Sequence, residues 1–267
     1  MVQVPSRLPP LIRRDAPPPL AVHDLTVRFG SVAAVDGVRF SVAVRSIVGL
    51  VGPNGCGKTT TLRALLGLAE PSAGSISVAG APGGSIDARS QVAWLPDEPH
   101  GLDELTVGEY LDLVAALYGA DDGFGIRAAT YLDAFGLADR RRTTLGALSH
   151  GVRRAIAFVA AVALDPPLLV VDEATAALDP GAVLVLREAL RAHARRGRGV
   201  LLATQDLHFA SETCDRVILL DRGRVVAEGR VRELLACFSV DSLEDAFEVA
   251  LGREGRLSEV RRALEAL

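Results

Sequence analysis

A glycine-rich loop at residues 52–60, Gly-Pro-Asn-Gly-Cys-Gly-Lys-Thr-Thr, constrains the fold of this chain more than any other feature. It follows an apolar run that predicts a buried strand and precedes a segment that predicts a helix. Glycines at this spacing let several backbone N–H groups converge on an anion, and the positive end of the following helix adds to that field. Lys58 can reach the outer phosphates of a nucleotide, and the Thr59 hydroxyl can bind a Mg²⁺ ion that bridges them. We therefore predict a nucleotide phosphate site formed by the following loop residues: Gly52, Asn54, Gly55, Cys56, Gly57, Lys58, Thr59 and Thr60.

Lysine and cysteine usage sharpen this prediction. Lys58 is the only lysine of the chain, so every other basic side chain is arginine. Cys56 stands where the positive end of a helix could lower the pKa of a thiol. The position needs only a compact side chain, however, and we favour the interpretation that Cys56 simply fills space. The three cysteines lack metal-ligand spacing. Neither a disulfide framework nor a zinc site is predicted, and we expect reduced thiols.

Length and composition favour a large globular domain. With 49% hydrophobic residues, the 267-residue chain can fill the core of one α/β domain. The longest apolar run, residues 155–164, is about half of what a bilayer crossing requires, and the proline-rich start lacks the apolar stretch of a secretory signal. A net charge of −4 does not indicate a nucleic-acid surface. We expect a cytoplasmic protein without a nucleic-acid partner.

The order of patterns along the chain predicts a sheet-based fold with a helical insert. Residues 1–19 are rich in proline and predict a disordered arm. Alternating apolar residues predict strands from Leu25 and from Val38, and continuous apolar runs predict buried strands farther on. From about residue 99 to 165 the spacing is mostly helical. Because strands and helices alternate elsewhere, the fold class is α/β with a mostly parallel central sheet, followed by a helical tail at 231–267.

Two carboxylates end the apolar strand predicted at residues 168–171. In a chain with a phosphate loop, Asp172 can hold Mg²⁺ through its water shell, and Glu173 can polarise or deprotonate the water that attacks the γ-phosphate. Ser149 and Gly151 precede a long helix. Taken alone, these two residues favour a helix N-cap over a second anion site.

Phe29 ends the first predicted strand, upstream of the glycine-rich loop. Its aromatic face could stack on a purine base, or its side chain could belong to the core. The residue pattern supports these two interpretations equally.

Four segments together resemble the nucleotide-binding subunit of an ATP-binding cassette (ABC) transporter: GPNGCGKTT at 52–60, LSHGV at 148–152, LLVVDEAT at 168–175 and ALD at 177–179. The resemblance covers about residues 21–230. It implies a P-loop NTPase fold in which an N-terminal antiparallel β subdomain and an inserted helical subdomain accompany the central sheet. Residues 20–230 would then form the ATP-binding domain, with ATP and Mg²⁺ as its cofactors.

The resemblance also assigns roles that the patterns leave open. It implies that Phe29 stacks on adenine. Ser149 and Gly151 would bind the γ-phosphate of ATP held by a partner subunit, and Asp179 would lie in a loop that crosses the dimer interface. The segment at 242–247 is similar to the C-terminal helix of subunits that serve export-type permeases.

Two positions depart from the family pattern. Asp97 stands where the family usually has a glutamine that reaches Mg²⁺ and the attacking water; it can still meet Mg²⁺ but cannot donate a hydrogen bond at neutral pH. Gln205 replaces a histidine that contacts the γ-phosphate and braces the catalytic glutamate. Since such a donor is worth on the order of a hundredfold in rate and the amide keeps a donor, we expect slow but real hydrolysis. The expected catalytic residues are Glu173, Gln205 and Asp97, and the expected metal ligands are Thr59, Asp172 and Asp97.

The resemblance implies an ATP-driven motor subunit. A homodimer, or a heterodimer with a related chain, would sandwich two ATP molecules and pull on a separate transmembrane permease, so the chain would lie peripherally on the inner face of the cell membrane. One alternative is a switch or structural partner that closes on ATP and barely hydrolyses it. A second is a soluble family member that acts on ribosomes or DNA, but such proteins usually carry two cassettes or a long coiled-coil insertion.

Overall fold

The structure of the chain is a computed structural model that describes residues 17–96, 102–173 and 175–253. Asp97 lies outside these ranges, as do most of the N-terminal arm and the end of the helical tail. The domain boundaries inferred from the sequence therefore remain predictions. Pro19, the last residue of the predicted arm, is buried, and its carbonyl accepts a hydrogen bond from the amide of Ala79 at 3.1 Å.

The described residues contain ten strands and nine α-helices. The strands are β1 (Leu20–Phe29), β2 (Val32–Val42), β3 (Ser46–Val51), β4 (Ala73–Val78), β5 (Ala81–Pro82), β6 (Val92–Leu95), β7 (Leu168–Asp172), β8 (Gly199–Thr204), β9 (Arg216–Asp221) and β10 (Arg224–Gly229). The α-helices are α1 (Lys58–Leu65), α2 (Ile86–Ser90), α3 (Val107–Tyr118), α4 (Phe124–Ala134), α5 (His150–Ala163), α6 (Pro180–Arg195), α7 (Leu207–Thr213), α8 (Val231–Phe238) and α9 (Leu243–Ala250). Two short 3-10 helices span Ala138–Arg142 and Leu145–Ala147.

The strands form two sheets. One is an antiparallel sheet of β1, β2, β4 and β5, with the strand order β2-β1-β4-β5. The second sheet has the order β10-β9-β3-β8-β7-β6, and all its pairs are parallel except the terminal β9–β10 hairpin. The predicted mostly parallel central sheet and the N-terminal antiparallel sheet are thus both confirmed.

The parallel sheet is buried on both faces, which explains why its strands are continuous apolar runs. On β3, Val48 and Leu50 pack toward the antiparallel sheet and α1, whereas Ile47 and Val51 pack toward the helices on the opposite face. This burial fixes the carboxyl ends of β3, β7 and β8 beside one another. Loops that follow these strands must therefore meet at one edge of the sheet.

The helical insert has a core of its own. Thr106 opens α3 with a capping box: its hydroxyl accepts from the amide of Glu109, whose carboxylate accepts from the Thr106 amide. From Ala155 to Ala163 helix α5 is apolar on all sides, because this part packs between α4 and the parallel sheet. The insert is thereby attached to the sheet through α5.

Two predicted strand starts were wrong. β1 begins at Leu20 rather than Leu25, because a bulge with Asp24 at φ 48° breaks the alternation that marks a strand. β2 begins at Val32 rather than Val38, and Gly37 at φ 64° interrupts the same signal. Irregular residues inside a strand hide its first half from a period-two pattern.

Across the part of the chain that the structure describes, no helix combines the length and the apolar character that a membrane crossing requires.

Candidate functional site

The glycine-rich loop connects β3 to α1 at the carboxyl edge of the parallel sheet, as predicted. Two of its glycines are sterically required. A methyl group on Gly52 would lie 2.1 Å from the carbonyl oxygen of Leu220, and one on Gly57 would lie 2.5 Å from that of Ala34. Gly57 also has a φ of 111°, which side chains rarely permit. The loop is therefore enclosed by the backbone of two neighbouring segments.

A turn between β9 and β10 holds this loop in place. The amide of Gly223 donates to the carbonyl of Cys56 at 2.8 Å, and the carbonyl of Gly223 accepts from the amide of Asp36 at 2.8 Å. Asp36 also accepts a hydrogen bond from Arg224 at 2.6 Å. The backbone of Gly223 thus ties the loop to the antiparallel sheet.

The N-terminus of α1 is open to an anion. Its N-cap, Gly57, has no side chain to accept from the first-turn amides, and that turn contains no acidic residue. Amides in the first turn of a helix have no acceptor within the helix, and the dipole there is positive. A bound phosphate would satisfy both requirements, so the loop fits the group that the sequence predicts.

Lys58 lies buried beneath the loop, with 5% of its surface exposed. Its ammonium donates to the carbonyl of Gly52 at 2.7 Å and to that of Pro53 at 3.2 Å, and it lies 3.4 Å from Oε1 of Glu173. The ammonium of Lys58 is therefore held by two carbonyls of the loop and by the carboxylate of Glu173. A phosphate in the loop would compete with Glu173 for this charge.

Thr59 and Asp172 meet at the predicted metal position. The Thr59 hydroxyl donates to Oδ2 of Asp172 at 3.1 Å, and Asp172, at the end of β7, is 1% exposed. A hydroxyl and a carboxylate are oxygen ligands of the kind that Mg²⁺ prefers, and Mg²⁺ usually completes its shell with phosphates and water. The structure shows no group of three or more His, Cys, Asp or Glu side chains that could hold a metal in the described ranges. By its oxygen donors, the pair of Thr59 and Asp172 fits a Mg²⁺ ion that takes its other ligands from phosphates and water.

Glu173 follows β7 in a left-handed conformation, with φ 47°. Its Oε2 accepts from the Thr204 hydroxyl at 3.3 Å and from the Gln205 amide at 3.2 Å, while Oε1 faces Lys58. The side chain is 16% exposed. A carboxylate fixed on one oxygen and partly open to solvent is suited to accept a proton from a positioned water.

Gln205 is exposed, and the hydrogen bond by which it contacts Glu173 comes from its backbone. The structure therefore places the backbone of Gln205 beside Glu173, and the catalytic role of its side chain stays a prediction. His208 cannot take over the role of the missing histidine: it is 77% exposed, and its ring lies 3.8 Å from Glu212 on the same helix.

Ser149 and Asp179 are both helix N-caps. Ser149 is exposed and accepts from the Val152 amide at 3.4 Å, and Asp179 accepts from the Ala182 amide at 2.9 Å. Gly151 packs closely on the segment after β7, since a methyl group there would lie 2.2 Å from the carbonyl oxygen of Ala177. The local N-cap interpretation of Ser149 is confirmed, and its role toward a partner subunit stays a prediction.

The exposure of Phe29 and of Cys56 bears on the two interpretations that the sequence left for each residue. Phe29 is 60% exposed at the end of β1, so it does not belong to the core, and stacking on adenine stays a prediction. Cys56 is 3% exposed, and burial raises the pKa of its thiol above the usual range. The space-filling role of Cys56 is therefore the better interpretation, since the dipole effect does not prevail.

Three residues of the site were missed by the sequence patterns. Thr204 contacts Glu173 from β8, Gly223 holds the loop, and Arg154 donates to the backbone at the end of β7. None of them lies in a motif that carries the chemistry. For Arg154 a signal existed, because it is an arginine at the edge of a long apolar helical run.

Comparison with known proteins gives the chain relatives over most of its length. A family model described as ABC transporter matches residues 35–176. A Nod factor export ATP-binding protein I from Burkholderia orbicola (strain AU 1054) is 38% identical over 221 residues, which is 81% of this chain and 72% of that protein.

Solved structures agree with this similarity. The ATP-binding subunit of an ABC transporter superposes with a TM-score of 0.82 at 33% identity, over 87% of this chain and 99% of the other. An ATP-binding cassette of an ABC transporter in its ADP conformation gives a TM-score of 0.70 over 81% of this chain and 94% of the other, but at 21% identity that likeness concerns the fold alone.

Proposed function

Because the chain belongs to the ABC transporter family and has the P-loop NTPase fold of its ATP-binding subunits, we propose that it binds and hydrolyses ATP to drive a separate transmembrane permease. The observation that carries this proposal is the position of Lys58 between the open end of α1 and Glu173. The loop would bind the phosphates, and the carboxylate of Glu173 would lie beside them, next to Lys58.

ATP would be held mainly through its phosphates. The loop amides and Lys58 would bind them, while Thr59 and Asp172 would hold Mg²⁺, which neutralises phosphate charge during hydrolysis. Phe29, exposed at the end of β1, would offer its face to adenine. Asp97, which lies outside the described residues, is a further proposed ligand of the metal.

Glu173 is the proposed base. Thr204 and the amide of Gln205 hold Oε2, so the carboxylate keeps one orientation when the ammonium of Lys58 turns to phosphate. The carboxylate can then take a proton from the attacking water. Gln205 lacks the charge of the usual histidine, and we propose slow turnover for that reason.

A dimer would complete each site. Ser149 is exposed at the N-terminus of α5, and its own chain offers it the local contact with Val152. Its helix end is free to bind the γ-phosphate held by a second ATP-binding subunit, with Gly151 beside it and Asp179 at the interface. Both a homodimer and a heterodimer are compatible with this arrangement.

The proposed partner in the membrane is an export-type permease. The similar protein from Burkholderia orbicola is named for Nod factor export, and this name supports outward transport. The chain would then lie peripherally on the cytoplasmic face, with the helical insert and the segment from 97 to 105 toward the permease. A switch that barely hydrolyses ATP is the alternative, which Gln205 favours. ATP turnover measured with and without the permease separates the two.

The test of the phosphate site is Lys58→Ala. Removal of a buried ammonium that pairs with phosphate should weaken ATP binding at least about thirtyfold, as measured by titration with a fluorescent ATP analogue, and should abolish turnover. Arg63→Ala is the matched control, because Arg63 is an exposed cation in the last turn of the same helix. Near-normal affinity in Lys58→Ala would show that the loop does not bind phosphate as proposed.

A further inference from the structure

Arg154 is a buried charge that phosphate binding does not explain. It lies in the second turn of α5 with 1% of its surface exposed, and the residues from 155 to 163 that follow are all apolar. Removing a guanidinium from water is costly unless its N–H groups find acceptors. We therefore expect the N–H groups of Arg154 to donate to specific acceptors inside the protein.

Two of its acceptors are the successive carbonyls of Asp172 and Glu173 at the end of β7. Nη2 of Arg154 donates to the carbonyl oxygen of Asp172 at 2.5 Å and to that of Glu173. Glu173 has the left-handed φ of 47°, which residues other than glycine seldom adopt. Charge-assisted bonds to both carbonyls orient the peptide groups on either side of the Glu173 Cα.

The other groups of Glu173 are held from β8. Its amide donates to the carbonyl of Ala203 at 2.8 Å, and its carboxylate accepts from the amide of Gln205 at 3.2 Å. Arg154 on α5 thus holds the carbonyls on both sides of the Glu173 Cα, while β8 and the residue after it hold the amide and the carboxylate. Without Arg154 the left-handed conformation would be held from one side.

The same helix turn reaches the segment beyond Glu173. Gly151, one turn before Arg154, packs against the Ala177 carbonyl so closely that a methyl group would lie 2.2 Å from it. The start of α5, which presents Ser149, and the segment after β7 are therefore in direct contact at two points, one of them a charged hydrogen bond.

We propose that Arg154 is a positioning residue for hydrolysis: it holds the backbone of Asp172 and Glu173 so that the Glu173 carboxylate faces the phosphate site. It also fixes that backbone to the helix end that carries Ser149. This inference rests on the proposed ATP hydrolysis and adds a residue that acts through Glu173 without touching nucleotide.

The experiment compares Arg154→Met, which removes the donors and keeps an unbranched side chain, with Arg154→Lys, which keeps charge and donors. We expect Arg154→Met to lower kcat at least tenfold, since small misplacement of a reacting group costs on the order of tenfold to a hundredfold. Affinity for a fluorescent ATP analogue should stay within threefold. Arg154→Lys should recover part of the lost kcat.

Arg127→Met is the matched control. Nε of Arg127 donates to the backbone carbonyl of Ala163 at 2.7 Å, so it is also an arginine bonded to main chain, but at the opposite end of α5. Its kcat should stay within twofold of wild type. A kcat of Arg154→Met within twofold of wild type would overturn the proposal, as would a loss of nucleotide affinity equal to the loss of kcat.

Amide hydrogen exchange supplies a readout that does not depend on turnover. Arg154→Met should speed exchange over residues 170–178 and 204–206, and Arg127→Met should not. If the wild type hydrolyses no ATP, the proposed function fails, whereas unchanged exchange in Arg154→Met overturns the positioning role. Should Arg154→Met not fold, Arg154→Gln, which removes the charge and shortens the side chain, takes its place, and wild-type kcat and exchange in that variant would overturn the positioning role.

Discussion

At the scale of residues, the central contact is the 3.4 Å pair between Lys58 and Glu173. It places the group that binds phosphate next to the group proposed to act on water. The carboxylate is held on its other oxygen by Thr204 and by the backbone of Gln205. Because this last bond comes from the main chain, the identity of side chain 205 can change without releasing Glu173.

That geometry makes Gln205→His a clean test of slow hydrolysis. The substitution places an imidazole donor at the position proposed to contact the γ-phosphate and keeps the backbone bond to Glu173, so we expect kcat to rise severalfold, up to about a hundredfold. Steady-state ATP turnover of the purified chain measures it. A rate equal to or below that of wild type would contradict the idea that Gln205 limits turnover.

His208→Gln is the control for this variant. His208 is exposed on the helix that follows and contacts only Glu212 among the described ion pairs. Exchanging histidine and glutamine at this position should leave turnover unchanged. An altered rate would mean that general surface effects contribute to the response at position 205.

At the scale of elements, α5 and the segment after β7 are in close contact beside the site. Gly151→Ala would place a methyl group 2.2 Å from the Ala177 carbonyl oxygen, so the helix end or the segment must move. Although alanine favours a helix, we expect the free energy of unfolding to fall by about 1–3 kcal/mol, as measured by urea denaturation.

Gly125→Ala on α4 separates crowding from helix propensity. A methyl group at Gly125 would meet no atom within 4 Å. Alanine should therefore stabilise this helix by up to about 1 kcal/mol. If Gly151→Ala were as stable as wild type, the contact with Ala177 would not be rigid.

Some residues of the site could be predicted from the sequence, and others could not, depending on whether they lie in a local motif. The loop between β3 and α1 and the two carboxylates at the end of β7 were predictable, because each motif is local and its neighbours follow from strand and helix periods. Thr204 and Arg154 were not, because they reach Glu173 from β8 and α5 through the folded arrangement alone. The starts of β1 and β2 were misplaced where a bulge or glycine breaks the period.

At the scale of the whole molecule, buried His193 connects stability to pH. Burial and the charge of Arg196 lower its pKa from 6.5 to about 4, and its Nδ1 lies 3.6 Å from Asp165, which is bonded to Arg196 and Arg198. The folded chain therefore keeps this ring neutral while the unfolded chain protonates it below pH 6.5. Stability should be full above that pH and fall as pH drops toward 4.

The loss attributable to His193 amounts to at most about 3 kcal/mol, from the shift between the two pKa values. His193→Gln cannot titrate, so its free energy of unfolding should fall less than that of wild type between pH 7.5 and 4.5 in urea titrations. His208→Gln, which changes an exposed histidine, should retain the wild-type dependence. An unchanged slope in His193→Gln would contradict the assignment.

Lys58 is the chain's only lysine, and it lies buried between two loop carbonyls and Glu173. Reagents that acylate amines therefore find a single side-chain target on this protein, and it is the one in the phosphate site. Coupling of a dye or a solid support through lysine would therefore modify the proposed phosphate site itself. Protection of that one amine from acylation would instead serve as a footprint of nucleotide occupancy.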